Sequence, residues 1–245
     1  MNIVDALLKV ALLGSAWVLW LLIGLSVASL GVMSERVLYF RRNRRRGGEA
    51  LRRDLLRALR AHDPDGAERL LRDSRTVEGA VVAGAFAFRD GGSRAFADAL
   101  EAELARARPE LERGLSFLGT LGNNAPFIGL FGTVIGVIAA FHELGTAAAR
   151  AGAMGNVMSG IAEALVATGV GIFVALPAVI AYNTAQKRIG DIEQETLSLG
   201  RLVSAWLETR ERGGVVRIAA EPVPDRAVQP TEPHRADPQL AAAGD

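Results

Sequence analysis

The sequence predicts an all-α membrane protein with three transmembrane helices and long cytoplasmic helical extensions. Runs without Asp, Glu, Lys or Arg occupy residues 10–34, 114–142 and 164–186. Half of the 245 residues are hydrophobic, and they concentrate in these runs instead of spreading along the chain as in a soluble domain. A helix needs about 20 apolar residues to cross about 30 Å of hydrocarbon, so each run is long enough to span a membrane.

The first predicted span covers residues 16–33 and follows a short N-terminal segment, 1–15. Asp5 and Lys9 cancel in charge, and the apolar run exceeds the length of a signal-peptide core, so we expect a retained helix. An arginine cluster comes directly after the span: Arg41, Arg42, Arg44, Arg45 and Arg46. The positive-inside rule places this cluster in the cytoplasm and the N-terminus in the periplasm. Beside a membrane span, topology and anionic-lipid contact are better interpretations of the arginines than nucleic-acid binding.

Residues 34–117 are predicted to form a cytoplasmic helical domain. Leu51, Leu55 and Leu59 recur at helical spacing, and a turn signal follows at residues 62–66. The apolar stretch at 79–88 is too short to cross a membrane and predicts a buried helix.

A later helix of this domain is predicted to pass through Phe96, Leu100 and Leu104. Ser93 is its candidate N-cap, and Pro109 is expected to kink or end it.

The second and third spans are predicted at residues 118–141 and 164–182, with a short periplasmic loop at 142–163. A cytoplasmic helix at 183–212 follows, and Lys187 and Arg188 at its start agree with a cytoplasmic C-terminus. Prolines and glycines then break all periodicity, which predicts a disordered tail at 213–245.

Small and polar residues recur at intervals of three and four along these two spans. The first stripe is Pro126, Gly129, Thr133, Gly136 and Ala140, and the second is Ala164, Thr168, Gly171, Ala175 and Ala178. Small residues let helices approach closely where lipid supplies no hydrophobic drive, so each stripe should face another helix.

Three polar side chains of these spans are candidates for an ion pathway. In an antiparallel hairpin, Thr133 and Thr168 fall at similar depth. The alternative is that each threonine only bonds a backbone carbonyl one turn back. Glu163 stands at the outer edge of the third span. It is either part of an ion path or an interfacial carboxylate near a helix N-terminus.

Composition excludes several classes of chemistry. There is no cysteine, which removes disulfides, thiolate catalysis and Cys-based metal sites. His62, His142 and His234 lie far apart and form no metal-binding pair. The spans hold no Ser/Lys, paired Asp or His-Glu arrangement. We therefore expect no enzyme activity, no metal and no cofactor.

Two motifs make the chain resemble the ExbB/TolQ/MotA proton-channel family. Residues 125–136 (APFIGLFGTVIG) resemble its second-span motif, and residues 160–168 (GIAEALVAT) with 175–178 (ALPA) resemble its third-span motif. The three-span order and the large first cytoplasmic loop match the ExbB/TolQ branch of biopolymer transport proteins. MotA-type subunits, with four spans, are less similar.

The resemblance implies a pentamer in the bacterial inner membrane that surrounds a single-span ExbD/TolR-like partner and powers TonB-type transport or Tol–Pal envelope function. A membrane aspartate of that partner is taken to carry the proton. A TonB/TolA-like protein is a further possible partner, and no nucleic acid is expected. Thr133, Thr168 and Glu163 match the family's functional polar positions. Residues expected to pack the helices are Pro126, Gly129, Gly132, Gly136, Gly171, Ala175 and Pro177.

Other roles stay open at this point. The chain fits a stator-like subunit of a gliding-motility or secretion motor, or a membrane scaffold without ion flux. Threonine oxygens serve protons or sodium equally well, so the transported ion is open too.

Overall fold

A computed structural model describes residues 14–43, 48–147 and 153–213. In these ranges the chain forms seven α-helices and one short 3-10 turn, Arg89–Gly91. The helices are α1 Ala16–Asn43, α2 Gly48–Arg60, α3 Pro64–Asp73, α4 Val77–Phe86, α5 Gly92–Glu112, α6 Leu115–Ala147 and α7 Ala153–Glu211. Arg44, Arg45 and Arg46 lie outside the described residues, as do most of the predicted N-terminal segment and the tail from residue 214.

Three helices have the length and apolar composition needed to cross a membrane. They lie at Ala16–Arg42, Leu115–Gly145 and Val157–Glu211, which confirms the number of predicted spans by length and composition. The helices are longer than the spans: α6 runs on to Ala147 and α7 begins at Ala153. Within the segment predicted as a loop at 142–163, residues 142–147 and 153–163 are therefore helical, and residues 148–152 lie outside the described residues.

α1, α6 and α7 form a three-helix bundle with a mainly apolar core. α6 packs against the first half of α7, and α1 packs against both. Val18 and Leu22 of α1, Leu118 of α6 and Val174 of α7 are all buried in this core. The outer faces carry large exposed apolar side chains, with Phe127 68% exposed. Apolar surface of this extent requires lipid or other protein chains around the bundle.

The second half of α7 packs against α2, α4 and α5, and together with α3 they form a separate helical domain. Leu59, Phe86, Phe96 and Trp206 are fully or almost fully buried in its core. The predicted buried helix at 79–88 is confirmed as α4, most of whose residues are buried. α4 begins where the Thr76 hydroxyl accepts a hydrogen bond from the Gly79 backbone N–H at 3.2 Å.

The prediction that Ser93 caps the next helix is wrong. α5 begins at Gly92, so Ser93 lies in its first turn. The backbone N–H of Ser93 donates to Glu211 Oε1 at 2.7 Å, and this carboxylate comes from the last turn of α7. The Glu211 carboxylate thus accepts a hydrogen bond from a backbone N–H that has no partner within α5. This bond also connects the end of α7 to the start of α5.

α5 continues through Pro109 to Glu112, so Pro109 does not end it. The break comes at Gly114, whose φ of +74° suits glycine. A Cβ at Gly114 would also lie 2.8 Å from Val32 Cγ1 of α1. This glycine lets the chain turn from the helical domain into α6 while α1 packs closely beside it.

Candidate functional site

The backbones of α6 and α7 touch where the two small-residue stripes meet. A Cβ placed on Gly129 would lie 2.8 Å from the Ala167 carbonyl oxygen and 3.0 Å from Thr168 Cα. A Cβ on Gly171 would lie 2.6 Å from the Ala125 carbonyl oxygen. No side chain fits between the helices here, so these glycines fix the spacing of everything at this depth.

The contact continues toward the start of α1. A Cβ on Gly132 would lie 3.1 Å from Val18 Cγ1 of α1. A Cβ on Gly136 would lie 2.5 Å from Ala164 Cβ of α7 and 3.4 Å from Ser15 Cβ. The small residues of α6 therefore admit both neighbouring helices.

The remaining predicted packing residues divide between two surfaces. Ala175 is buried in the bundle core, and Pro126 is half-buried on α6. Pro177 is exposed and lines a groove between α1 and α7. Pro177 therefore lies away from the interface between α6 and α7.

The hydroxyls of Thr133 and Thr168 meet across this interface. Thr168 Oγ1 donates to Thr133 Oγ1 over 3.5 Å, and Thr133 Oγ1 donates to the Leu130 carbonyl oxygen at 2.6 Å. Both predicted arrangements therefore coexist: a local backbone bond and a pair at one depth. The contact between the hydroxyls is long for an O–H···O bond, and both side chains are only half-buried. Their remaining lone pairs can accept a hydrogen bond from a third group.

Glu163 lies on the exposed surface of α7 near its start. It is five residues, or about 7.5 Å along the helix axis, before Thr168. Ser15 is only 5% exposed, and its Oγ donates a hydrogen bond to Glu163 Oε1 at 3.2 Å. Sequence reasoning missed Ser15, because nothing local in the chain connects two residues 148 positions apart.

A polar cleft of about 400 Å³ lies at the other end of the α6–α7 interface. Its walls include Thr120, Asn123 and Asn124 of α6 and Asn183 of α7. The Asn124 side-chain amide donates to the Thr120 carbonyl oxygen at 2.8 Å. Sequence reasoning did not connect Asn183 with this cleft. The three- and four-residue spacing of the α6 polar residues was the available signal.

Two further expectations concern charge and metals. Arg41 and Arg42 are exposed near the end of α1, on the side of the bundle that carries the helical domain. Within the described ranges, no group of three or more His, Asp or Glu side chains is placed to hold a metal ion.

Comparison with known proteins adds a family match. A protein-family model described as "MotA/TolQ/ExbB proton channel family" matches residues 73–197. This range is 125 of the 245 residues and includes all of α4, α5 and α6. The matched range contains Thr133, Glu163 and Thr168, and it stops near the middle of the helical-domain half of α7.

Similar individual proteins carry related names. The "Tol-Pal system protein TolQ" of Pseudomonas aeruginosa is 45% identical over 92 residues, 38% of this chain and 39% of that protein. The "Biopolymer transport protein ExbB" of Salmonella typhimurium is 36% identical over 130 residues, 53% of this chain and 51% of that protein. The protein of the same name from Pseudomonas putida is 41% identical over 90 residues, 37% of this chain and 27% of that protein. These alignments thus span about half or less of each relative.

Proposed function

This chain belongs to the MotA/TolQ/ExbB proton channel family, and we propose that it is an inner-membrane subunit of a motor driven by the proton-motive force. In this role it forms the wall of a channel, with the arginine-rich side in the cytoplasm and the N-terminus in the periplasm. The observation that carries the proposal is the meeting of the Thr133 and Thr168 hydroxyls across an interface whose nearest contacts are made by glycine and alanine.

The wall needs a titratable group from another chain. Threonine hydroxyls do not change charge in the physiological pH range, so they guide a proton or ion without carrying it. Between residues 114 and 186 the only carboxylates are Glu143 and Glu163. Glu143 is near the last residue of α6 and Glu163 is in the first part of α7, so both lie toward the same end of this antiparallel pair of helices. The proposed partner is a single-span ExbD/TolR-like protein whose membrane aspartate passes the threonine pair.

The exposed faces of the bundle support an oligomeric wall. Phe127 and Val134 of α6 and Phe173 of α7 are each more than half exposed. In a ring of copies, such faces would pack against neighbours or lipid, and we propose the pentamer that the family resemblance implies. The names of the relatives point to TonB-type transport or Tol–Pal envelope function as the process powered, with a TonB- or TolA-like protein as its recipient.

The test replaces both hydroxyls by methyl groups of nearly equal volume. Thr133→Val with Thr168→Val should lower proton flux at least tenfold in proteoliposomes that contain the complex purified with its partner. The reason is that the pathway loses the paired hydroxyl oxygens of both helices at this depth. Flux is followed with an internal pH-sensitive dye after an imposed potential, and assembly is checked by size-exclusion chromatography.

Thr184→Val is the matched control. Thr184 lies on α7, the helix of Thr168. Its hydroxyl donates to the Ile180 carbonyl oxygen at 2.7 Å, just as that of Thr133 donates to the Leu130 carbonyl oxygen. Among the described residues, no hydroxyl of α6 bonds to it. The control should keep wild-type flux. An assembled double valine variant that conducts at the wild-type rate would refute a role of the two hydroxyls in the pathway. A scaffold without ion flux instead predicts that even the wild-type complex conducts no faster than empty liposomes.

A further inference from the structure

A groove between α1 and α7 begins in the apolar part of the bundle and ends among arginines. Its volume of about 630 Å³ falls in the range of about 300–1,000 Å³ usual for small-molecule sites. Val37 of α1 and Phe173, Leu176 and Ile180 of α7 form much of its wall. These side chains are each at least 54% exposed, so an apolar occupant would bury apolar surface on both helices.

Two exposed cations stand at the charged end of this groove. Arg41 lies in the last turn of α1, and among the described residues no carboxylate pairs with it. Arg188 of α7 approaches Asp191 Oδ2 at 3.6 Å, and both of these side chains are more than one third exposed. Such a surface pair holds its arginine weakly, so both guanidinium groups remain able to bind an anion.

A third arginine of the groove is buried and incompletely bonded. Only 3% of Arg36 is exposed; its Nη1 donates to the Glu110 carbonyl oxygen at 3.0 Å and its Nη2 pairs with Glu35. Its Nε is buried without a hydrogen-bond acceptor among the described residues. This Nε is closed off from the groove, so Arg36 adds positive charge at this end and makes no direct bond to an occupant.

We propose that this groove binds one anionic glycerophospholipid, with an acyl chain against Leu176 and Ile180 and the phosphate between Arg41 and Arg188. The occupant has to be apolar at the end that lies in the membrane span and anionic at the border of the membrane. A phospholipid of the same leaflet has this polarity, whereas an apolar helix from a second copy would place hydrocarbon beside three cations.

Lipid selectivity of the purified complex tests the proposal. The delipidated full-length complex is titrated with phosphatidylglycerol or phosphatidylcholine of identical acyl chains, and bound lipid is counted by native mass spectrometry. Wild type should prefer phosphatidylglycerol. A basic residue contributes about a fivefold gain in affinity for an anionic lipid surface, so Arg41→Gln with Arg188→Gln should weaken phosphatidylglycerol binding about 25-fold.

Two further variants make the result decisive. Arg42→Gln removes a neighbouring exposed charge that does not line the groove, and it should leave binding unchanged. Leu176→Trp fills the groove and keeps every arginine, so it should abolish retention even if the double arginine variant does not assemble. Equal affinity for the two lipids, an equal loss in Arg42→Gln, or full binding in Leu176→Trp overturns the proposal.

Discussion

Gly171→Ala tests whether close backbone contact sets the geometry of the threonine pair. The added Cβ would lie 2.6 Å from the Ala125 carbonyl oxygen and 3.0 Å from Gly129 Cα, while ordinary contact begins near 3.4 Å. The first approach is therefore about 0.8 Å too short, and both opposing atoms belong to backbone that cannot rotate away. The helices must separate, and overpacking of this kind costs about 1–3 kcal/mol.

The separation has two measurable consequences. For a chain of this size, Tm falls by about 2–4 °C for each kcal/mol of unfolding free energy that is lost. The Tm of the purified complex should therefore fall by roughly 2–12 °C. Thr168 lies one turn from Gly171, and its 3.5 Å contact with Thr133 is already long, so proton flux should fall as well.

Gly169→Ala is the matched control for this prediction. A Cβ at Gly169 meets nothing within 4 Å, although it lies only two residues away on the same helix. It should leave Tm unchanged or raise it, because alanine is favoured over glycine inside a helix by up to about 1 kcal/mol. If Gly171→Ala keeps wild-type Tm and flux, or if both alanine variants lose the same Tm, the close-contact reasoning is refuted.

Two other predictions follow from acidic side chains. Glu163→Gln should impair proton-driven activity while the complex still assembles. The substitution removes the charge, but an amide oxygen remains to accept the hydrogen bond from Ser15. Wild-type activity in this variant would exclude a role for the charge. Burial, and then repulsion by Glu78 and other acids, raise the pKa of Glu195 in the helical domain. Because the folded-state pKa is the higher one, this group's contribution to stability is present below about pH 4.5 and is lost as pH rises through the folded pKa. Glu195→Gln should therefore raise Tm at pH 7.5 and not at pH 4, and a Tm gain independent of pH would contradict this assignment.

Much of the membrane part could be predicted from sequence because hydrocarbon imposes a simple requirement. Every backbone polar group must be bonded within its own helix, so long uncharged runs have few alternatives to a spanning helix. The stripe of small residues was equally informative. Gly129 and Gly171 have no side chain to pack, and close approach of two backbones is the usual reason for such a pattern.

The contacts that depend on tertiary arrangement were not predictable in this way. The bond from Ser15 to Glu163 and the bond from Ser93 to Glu211 each join residues more than 100 positions apart. The sequence does predict a helix at 183–212 after the span at 164–182, but it predicts a loop where α7 begins, at residues 153–163. Hydropathy falls after Tyr182, but a change from apolar to charged residues does not weaken a helix, so α7 continues into the helical domain.

α7 is one uninterrupted helix of 59 residues, or about 88 Å if it were straight, and it carries Glu163 near one end and Trp206 near the other. Its membrane half and its domain half therefore belong to one continuous helix, in which Pro177 removes one backbone hydrogen bond. A tilt of about 5° around its centre would displace each end by about 4 Å in opposite directions. Because Trp206 is anchored in the core and Glu211 holds the start of α5, movement of the membrane half would be carried mechanically into the whole helical domain.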